Sequence, residues 1–458
     1  MKVSPLSKLW QKSTYTLADI IEKFTVGDDY RTDMALVIWD IIGNSAQAKM
    51  LHKIGLLTQT ELSGIEKALA QITERYLSGK FSIALEDEDV HTRIEKELTE
   101  MVGEAGKKIH TGRSRNDQVM LDMRLLCKDG LLTCLESLVS FALELNDFAK
   151  KYEYIPMPGY THMQRGMPSS VGMWASSFVE EIIDNIRLFE SIYEINDMSP
   201  LGSGAGYGVP IPVDREYTAE ILGFSRVQSN SLYCQNSRGR IEMKITYWLM
   251  DTAGIMKRMA SDLLLFTTQE YGLFKAGSKI TTGSSIMPQK RNLDVMELIR
   301  GKHARFVGIL NELVALTSSL PSGYNRDLQE TKKLVINSFD LFIEFCGVME
   351  YSLSEIEPVE EKLKAAMSPD IFAADEAFRL VTEEGIPFRE AYIRVGDNLD
   401  ALEKLDPSKT ILNRKHTGST GKLNLEIYRN SLENISDKFK EKREDFYLRI
   451  IELLSGKK

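Results

Sequence analysis

The chain has 458 residues, with 57 Lys+Arg against 66 Asp+Glu and a net charge of −9. That length is roughly three ordinary domains of ~150 residues, and the charge balance excludes a general cationic coat for nucleic acid. A composition of 43% hydrophobic and 27% charged residues excludes wholesale disorder.

The four cysteines, Cys127, Cys134, Cys234 and Cys346, are scattered and form no CxxC pair. Neither a disulfide framework nor a zinc cluster is expected. The first residues, MKVSPLSKLWQKS, carry no apolar stretch, so no signal peptide is expected. No apolar run approaches ~18 residues, so no membrane span is expected. The expectation is a soluble protein of a reducing compartment, with cytoplasm as the default.

In the N-terminal third, Thr58 and Glu61 stand at capping-box spacing before a helix predicted to end near Gly79. A second helix is predicted over 90–102, stopped by Gly103. No proline lies between Pro5 and Pro156, or between Pro212 and Pro288, which permits long helices. Within 114–150, Val119, Met123, Leu126, Leu131, Leu135, Leu138, Ala142, Leu145 and Phe148 recur mostly three and four apart. That spacing is one face of a helix, about 50 Å long at ~1.5 Å per residue. Similar patterns run through 169–195, 239–267, 292–319 and 331–354. Five such helices predict an all-α protein. Its parts are a long central helical bundle (113–361) and smaller helical N-terminal (1–112) and C-terminal (362–458) domains. Helices in the last part are expected to be shorter, separated by Pro369, Pro387, Pro407 and the polar stretch 416–422. No strand set is predicted beyond a short hairpin.

Three loops between the long helices carry polar groups capable of chemistry. The segment 272–292 (GLFKAGSKITTGSSIMPQKRN) reads either as a mobile lid bringing Ser284 or Ser285 beside a cation, or as a flexible surface loop. In 156–168 (PMPGYTHMQRGMP), His162 reads either as a proton donor or acceptor near neutrality or as a structural hydrogen-bonder. In 107–117 (KKIHTGRSRND), two arginines among amide and hydroxyl donors suit a carboxylate. The same residues equally suit a helix N-terminus capped by Ser114. None of the six histidines lies in HExxH, so no metal is expected. The run 201–208 (LGSGAGYG) lacks GxGxxG and a preceding strand, so it is not read as a dinucleotide loop.

Together these loops carry a resemblance. The run 283–292 (GSSIMPQKRN) resembles the GSSxMPxKxN signature of the fumarase/aspartase superfamily, and Thr161-His162 and 110–116 resemble its two companion regions. Within the superfamily, HTGRSRND, YNRDLQETK (324–332), Leu9-Trp10 and DIIGNSAQAKML (40–51) are similar to the argininosuccinate lyase family. That resemblance implies cleavage of argininosuccinate to arginine and fumarate, a homotetramer with active sites built from loops of three subunits, and no cofactor or metal. It implies Ser284 as carbon base and His162 as the acid for the leaving nitrogen, roles that sequence leaves exchangeable. Lys290 and Asn292 would hold the carbanion-like carboxylate. Asn116, Thr161, Tyr324, Gln329 and Lys332 would contact substrate, Ser114 and Arg115 would serve the carboxylate pocket, and His91 would orient His162 or a water.

The sequence also departs from the family pattern. Where a substrate-binding serine is usual, 24–33 reads FTVGDDYRTD, with Gly27 at the expected place and Asp29 as a possible replacement. Asn44 and Gln47 stand where Ser and His are usual. The region 230–242 keeps Asn230, Ser231 and Arg238 but loses the acidic and aromatic residues around them, and Leu293 replaces a proline. Two alternatives follow: a lyase of the same class acting on another succinyl-amine, and a non-catalytic crystallin-like scaffold.

Overall fold

The computed structural model describes residues 18–455, so Leu9 and Trp10 lie outside the described residues. Nine helices make the frame. They are α1 (Val37–Lys53), α2 (Gln59–Leu77), α3 (Val90–Val102), α4 (Arg115–Lys151), α5 (Val171–Asn196), α6 (Arg240–Phe266), α7 (Asp294–Thr317), α8 (Thr331–Leu353) and α9 (Leu425–Ser455). The all-α reading holds.

Local chemistry explains where these helices begin and stop. Thr58 and Glu61 form the expected capping box of α2, and Gly103, at φ 61°, ends α3. The longest helix, α4, has 37 residues. It starts at a second capping box, Ser114 with Asp117, and ends on Lys150 and Lys151, a charge order that suits the helix dipole at both ends. The expected apolar face of α4 is buried from Val119 to Phe148, with Leu126 at its edge. It packs against α5, α8 and α9, while α6 packs against α5, α7 and α8. Trp248 of α6 sits fully buried between the rings of Phe189 and Phe342, 5.0 and 5.5 Å away.

Two expectations are corrected. The C-terminal helices are not all short: α9 has 31 residues and lies back along α4 and α1. Its buried residues Leu425, Leu432, Phe439, Phe446 and Leu453 recur every seven positions. Such a narrow seam is diluted by charged neighbours and gives a weak periodic signal. The segment expected as the loop 156–168 is an antiparallel hairpin, β1 (Pro156–Thr161) with β2 (Gln164–Ser170). Its turn residues, His162 and Met163, take φ of 51° and 62° without the Asn-Gly or Asp-Gly that normally announces such a turn. Residues 377–395 close a small core of their own around Ala377, Leu380, Ala391 and Val395.

Candidate active site

A cavity of about 430 Å³ opens where the N-terminal ends of α4 and α8 meet the segments 25–33 and 88–91. Six expected residues line it: His91, Arg115, Asn116, Tyr324, Gln329 and Lys332. Ser114 does not line it. Its side chain accepts from the Asn116 N–H and so sets where α4 begins, which aims Arg115 and Asn116 at the cavity.

Each wall is held by charge. Arg115 donates to Thr92 Oγ1 at 2.7 Å and pairs with Asp89 at 3.2 Å and Glu88 at 3.3 Å. Lys332, the second residue of α8, is buried between Asp33 and Asp29. Burial opposes its charge, but the two carboxylates outweigh burial and raise the ammonium above its ordinary value. Burial likewise pushes Asp29 up to about 6, against the pull of Lys332. Gln329 donates to the carbonyls of Thr25 and Val26 and ties the 25–29 segment to the start of α8.

Behind the cavity lies a buried ion network. His91 Nδ1 is 2.7 Å from Asp40 Oδ1 and 3.7 Å from Asp122 Oδ2, and all three residues are at most 4% exposed. Asn44 joins it to Arg113: its amide donates to Asp40 at 2.8 Å and its carbonyl accepts from Arg113 at 2.7 Å. Burial disfavours a charged His91, yet Asp40, Asp89 and Asp122 prevail and push it up to about 9. The three side chains offer ligand atoms within 4.8 Å of one another. An imidazolium, however, has no lone pair for a metal. Sequence reasoning passed over Asp33, Asp40 and Asp122. The available signal was a carboxylate inside an otherwise apolar run, VIWDII, with Asp33 seven residues earlier.

This network predicts a pH dependence. A histidine whose folded pKa lies above its unfolded ~6.5 contributes stability that is full below about pH 6.5. That contribution is lost as pH rises through about 9. Melting temperatures from pH 6 to 10 are expected to fall more steeply for the wild type than for His91→Asn. Parallel declines would remove His91 as the source.

The glycine run 201–208 serves Asp117. With φ of 80° and 60°, Gly202 and Gly204 turn their N–H groups onto Asp117 Oδ2 at 3.0 and 2.9 Å, while Ser114 N–H donates to Oδ1 at 2.7 Å. Burial pushes this carboxyl up to about 6 despite those donors. The loop that faintly resembled a dinucleotide site thus fastens the start of α4.

The other expected residues lie elsewhere. Thr161 and His162 stand exposed at the hairpin tip. Ser284 lies in a loop closed at its neck by backbone bonds between Thr282 and Asn292, each 2.9 Å. Its Oγ accepts from Met287 N–H at 3.1 Å and Ile286 N–H at 3.4 Å, both of which favour an anionic oxygen. Lys290 is exposed and Asn292 half-buried in the same loop. The frame keeps these groups far from the cavity. Tyr160 of the hairpin meets Phe266 at the last turn of α6, whereas Arg238 in the cavity wall precedes the first. Twenty-seven helical residues separate those ends, roughly 40 Å. The Ser284 loop is anchored on Glu355, just beyond the end of α8, and Lys332 sits at the start of that helix. Among the described residues, none lining the cavity comes from the hairpin or from 277–293.

Fold and sequence comparisons agree with this arrangement. The sequence profile of a lyase family, described as "Lyase", matches residues 9–308. Solved structures of like fold include an EDDS lyase in complex with formate (TM-score 0.78, 21% identity, 96% of this chain and 97% of that one). Another is a class II fumarase from Schistosoma mansoni (TM-score 0.71, 15% identity, 85% and 94%). The bundle and its loops define a lyase of the fumarase/aspartase superfamily. Argininosuccinate lyase from Thermotoga neapolitana is 44% identical, over 85% of this chain and 98% of its own length. Those of Xylella fastidiosa and Parabacteroides distasonis are 39% and 37% identical over 92% and 91% of this chain and 95% and 92% of their own. The chain belongs to the argininosuccinate lyase family of carbon–nitrogen lyases.

Proposed function

We propose that the chain cleaves argininosuccinate to arginine and fumarate. A base removes the proton from the carbon beside a succinyl carboxylate, the carbon–nitrogen bond breaks, and an acid returns a proton to the leaving guanidino nitrogen. Ser284 is the carbon base, activated by the N–H groups on its oxygen and by nearby Lys290. His162 is the acid, directly or through water. Asn292 and Lys290 hold the charge that develops on the carboxylate, and Thr161 contacts the same end of the substrate. Asn116, Tyr324, Gln329 and Lys332 hold the other end in the cavity. The observation that carries this reading is the convergence of six expected residues on one charged cavity.

That cavity lacks the acid and the base, so we propose a homotetramer whose sites each combine loops of different subunits. Two features support it. One is the separation along α6 and α8 described above. The other is the apolar face of α7, where Leu298, Val307 and Val314 are 57, 39 and 46% exposed. Four buried free cysteines fit a reducing compartment, and we place the enzyme in the cytoplasm. No helix among the described residues is long and apolar enough to cross a membrane.

The test is fumarate release from argininosuccinate, followed by ultraviolet absorbance. Release by the wild type is expected, and its absence from a folded oligomer would point to another succinyl-amine. Mixing inactive His162→Asn with inactive Ser284→Ala under conditions of proven subunit exchange is expected to restore part of the activity. Exchange without restoration would refute composite sites.

A further inference from the structure

Three arginines and one lysine line the cavity: Arg115, Arg238, Arg326 and Lys332. Three of the four are engaged. Arg115 is held by Thr92, Glu88 and Asp89, and Lys332 by Asp29 and Asp33. Arg326 donates to the Thr25 carbonyl and to Gln329 Oε1. Arg238 differs. It is 3% exposed, and neither Nε nor Nη1 has a hydrogen-bond partner among the described residues. A guanidinium out of water without an anion is costly, and an incoming carboxylate removes that cost with two charge-assisted bonds.

The local chain builds this position. Helix Ser231–Ser237 stops at Arg238, and Gly239 follows at φ 77°. A Cβ on Gly239 would come within 2.4 Å of the Thr317 methyl, so only glycine allows the sharp break before α6. Arg238 is held in that break, with its guanidinium 5.5 Å from the centre of the Tyr324 ring. The Gly323 N–H donates to Asn236 Oδ1 at 2.8 Å and ties the two segments together. The guanidinium therefore faces the cavity from a fixed platform.

We propose that Arg238 is the receptor for the α-carboxylate of the substrate's amino-acid half. This rests on the argininosuccinate reading, in which Lys290 and Asn292 take the succinyl end. One carboxylate then remains, at the far end of the arginine chain, and one cavity cation remains without an anion. Arg238 thereby sets specificity for an amino acid over the corresponding amine.

The experiment is calorimetric binding of arginine and of agmatine, its decarboxylated form, to the intact oligomer. The wild type is expected to bind arginine on the order of tenfold to a hundredfold more tightly. In Arg238→Gln that preference is expected to collapse through weaker arginine binding with agmatine binding unchanged, and Arg238→Lys is expected to fall between. A merely structural role would weaken both ligands by the same factor, and that result would overturn the proposal. Equal affinities in the wild type would overturn it without any variant. Binding is read apart from turnover, so a wild type that prefers arginine yet releases no fumarate would refute the lyase reading and leave the receptor standing.

Discussion

Ser284→Ala is expected to lower fumarate release on the order of 10³-fold, the scale of a general base, with little change in stability. Ser284 is half-buried in a loop, and its oxygen serves only as acceptor for the N–H groups of Ile286 and Met287 among the described residues. Removing it therefore costs the fold no more than about 1 kcal/mol. A serine hydroxyl is a poor base at its ordinary pKa, and the two N–H donors and Lys290, six residues on, supply the field that favours its anion. Steady-state rates together with urea melts of wild type and variant measure both halves of the expectation. Activity within tenfold of wild type would move the base to another residue. A collapse of stability would mean that the loop holds the oligomer together.

The second large effect concerns stability. Lys332→Met removes the ammonium that compensates Asp33, which is 0% exposed, and Asp29 beside it. An uncompensated buried charge of this kind costs about 3–5 kcal/mol. The carboxyls of the variant gain by taking up protons, so their folded pKa values rise above the unfolded ones. The deficit against wild type is thus smallest at low pH and grows as pH rises through those raised values. Urea denaturation at pH 5 and pH 8 is expected to show the larger deficit at pH 8. Adding Asp33→Asn should recover part of it. A deficit under about 1 kcal/mol at both pH values would mean that water already reaches the pair.

Much of this was legible in the residues because the chemistry is local. Capping boxes at Thr58 and Ser114 and the stop at Gly103 each depend on a few neighbours, and α3 falls on its expected bounds. The runs GSSIMPQKRN and HTGRSRND carried the family, and six residues matched through it meet in one cavity. What stayed hidden is set by distant partners. Asp33 and Asp40 read as ordinary helix residues until Lys332 and His91 arrive from 299 and 51 positions away. The hairpin tip escaped notice because His162 and Met163 adopt positive φ without a glycine or asparagine to signal it. The seam of α9 uses one residue in seven and is invisible to a search for a broader face.

The helices that separate the two halves of the chemistry act as rulers, and a ruler restricts how such a chain can evolve. One residue inserted into α8 would lengthen it by ~1.5 Å and rotate everything beyond by about 100°. The Ser284 loop anchored on Glu355 would then swing to another side of the bundle while Lys332 stayed in place. Because α4, α6 and α8 run side by side, a length change in one is tolerated only if its neighbours change in step. Substitutions can therefore accumulate freely in this lineage, whereas insertions and deletions belong at the turns between helices and the spans themselves are inherited as a set.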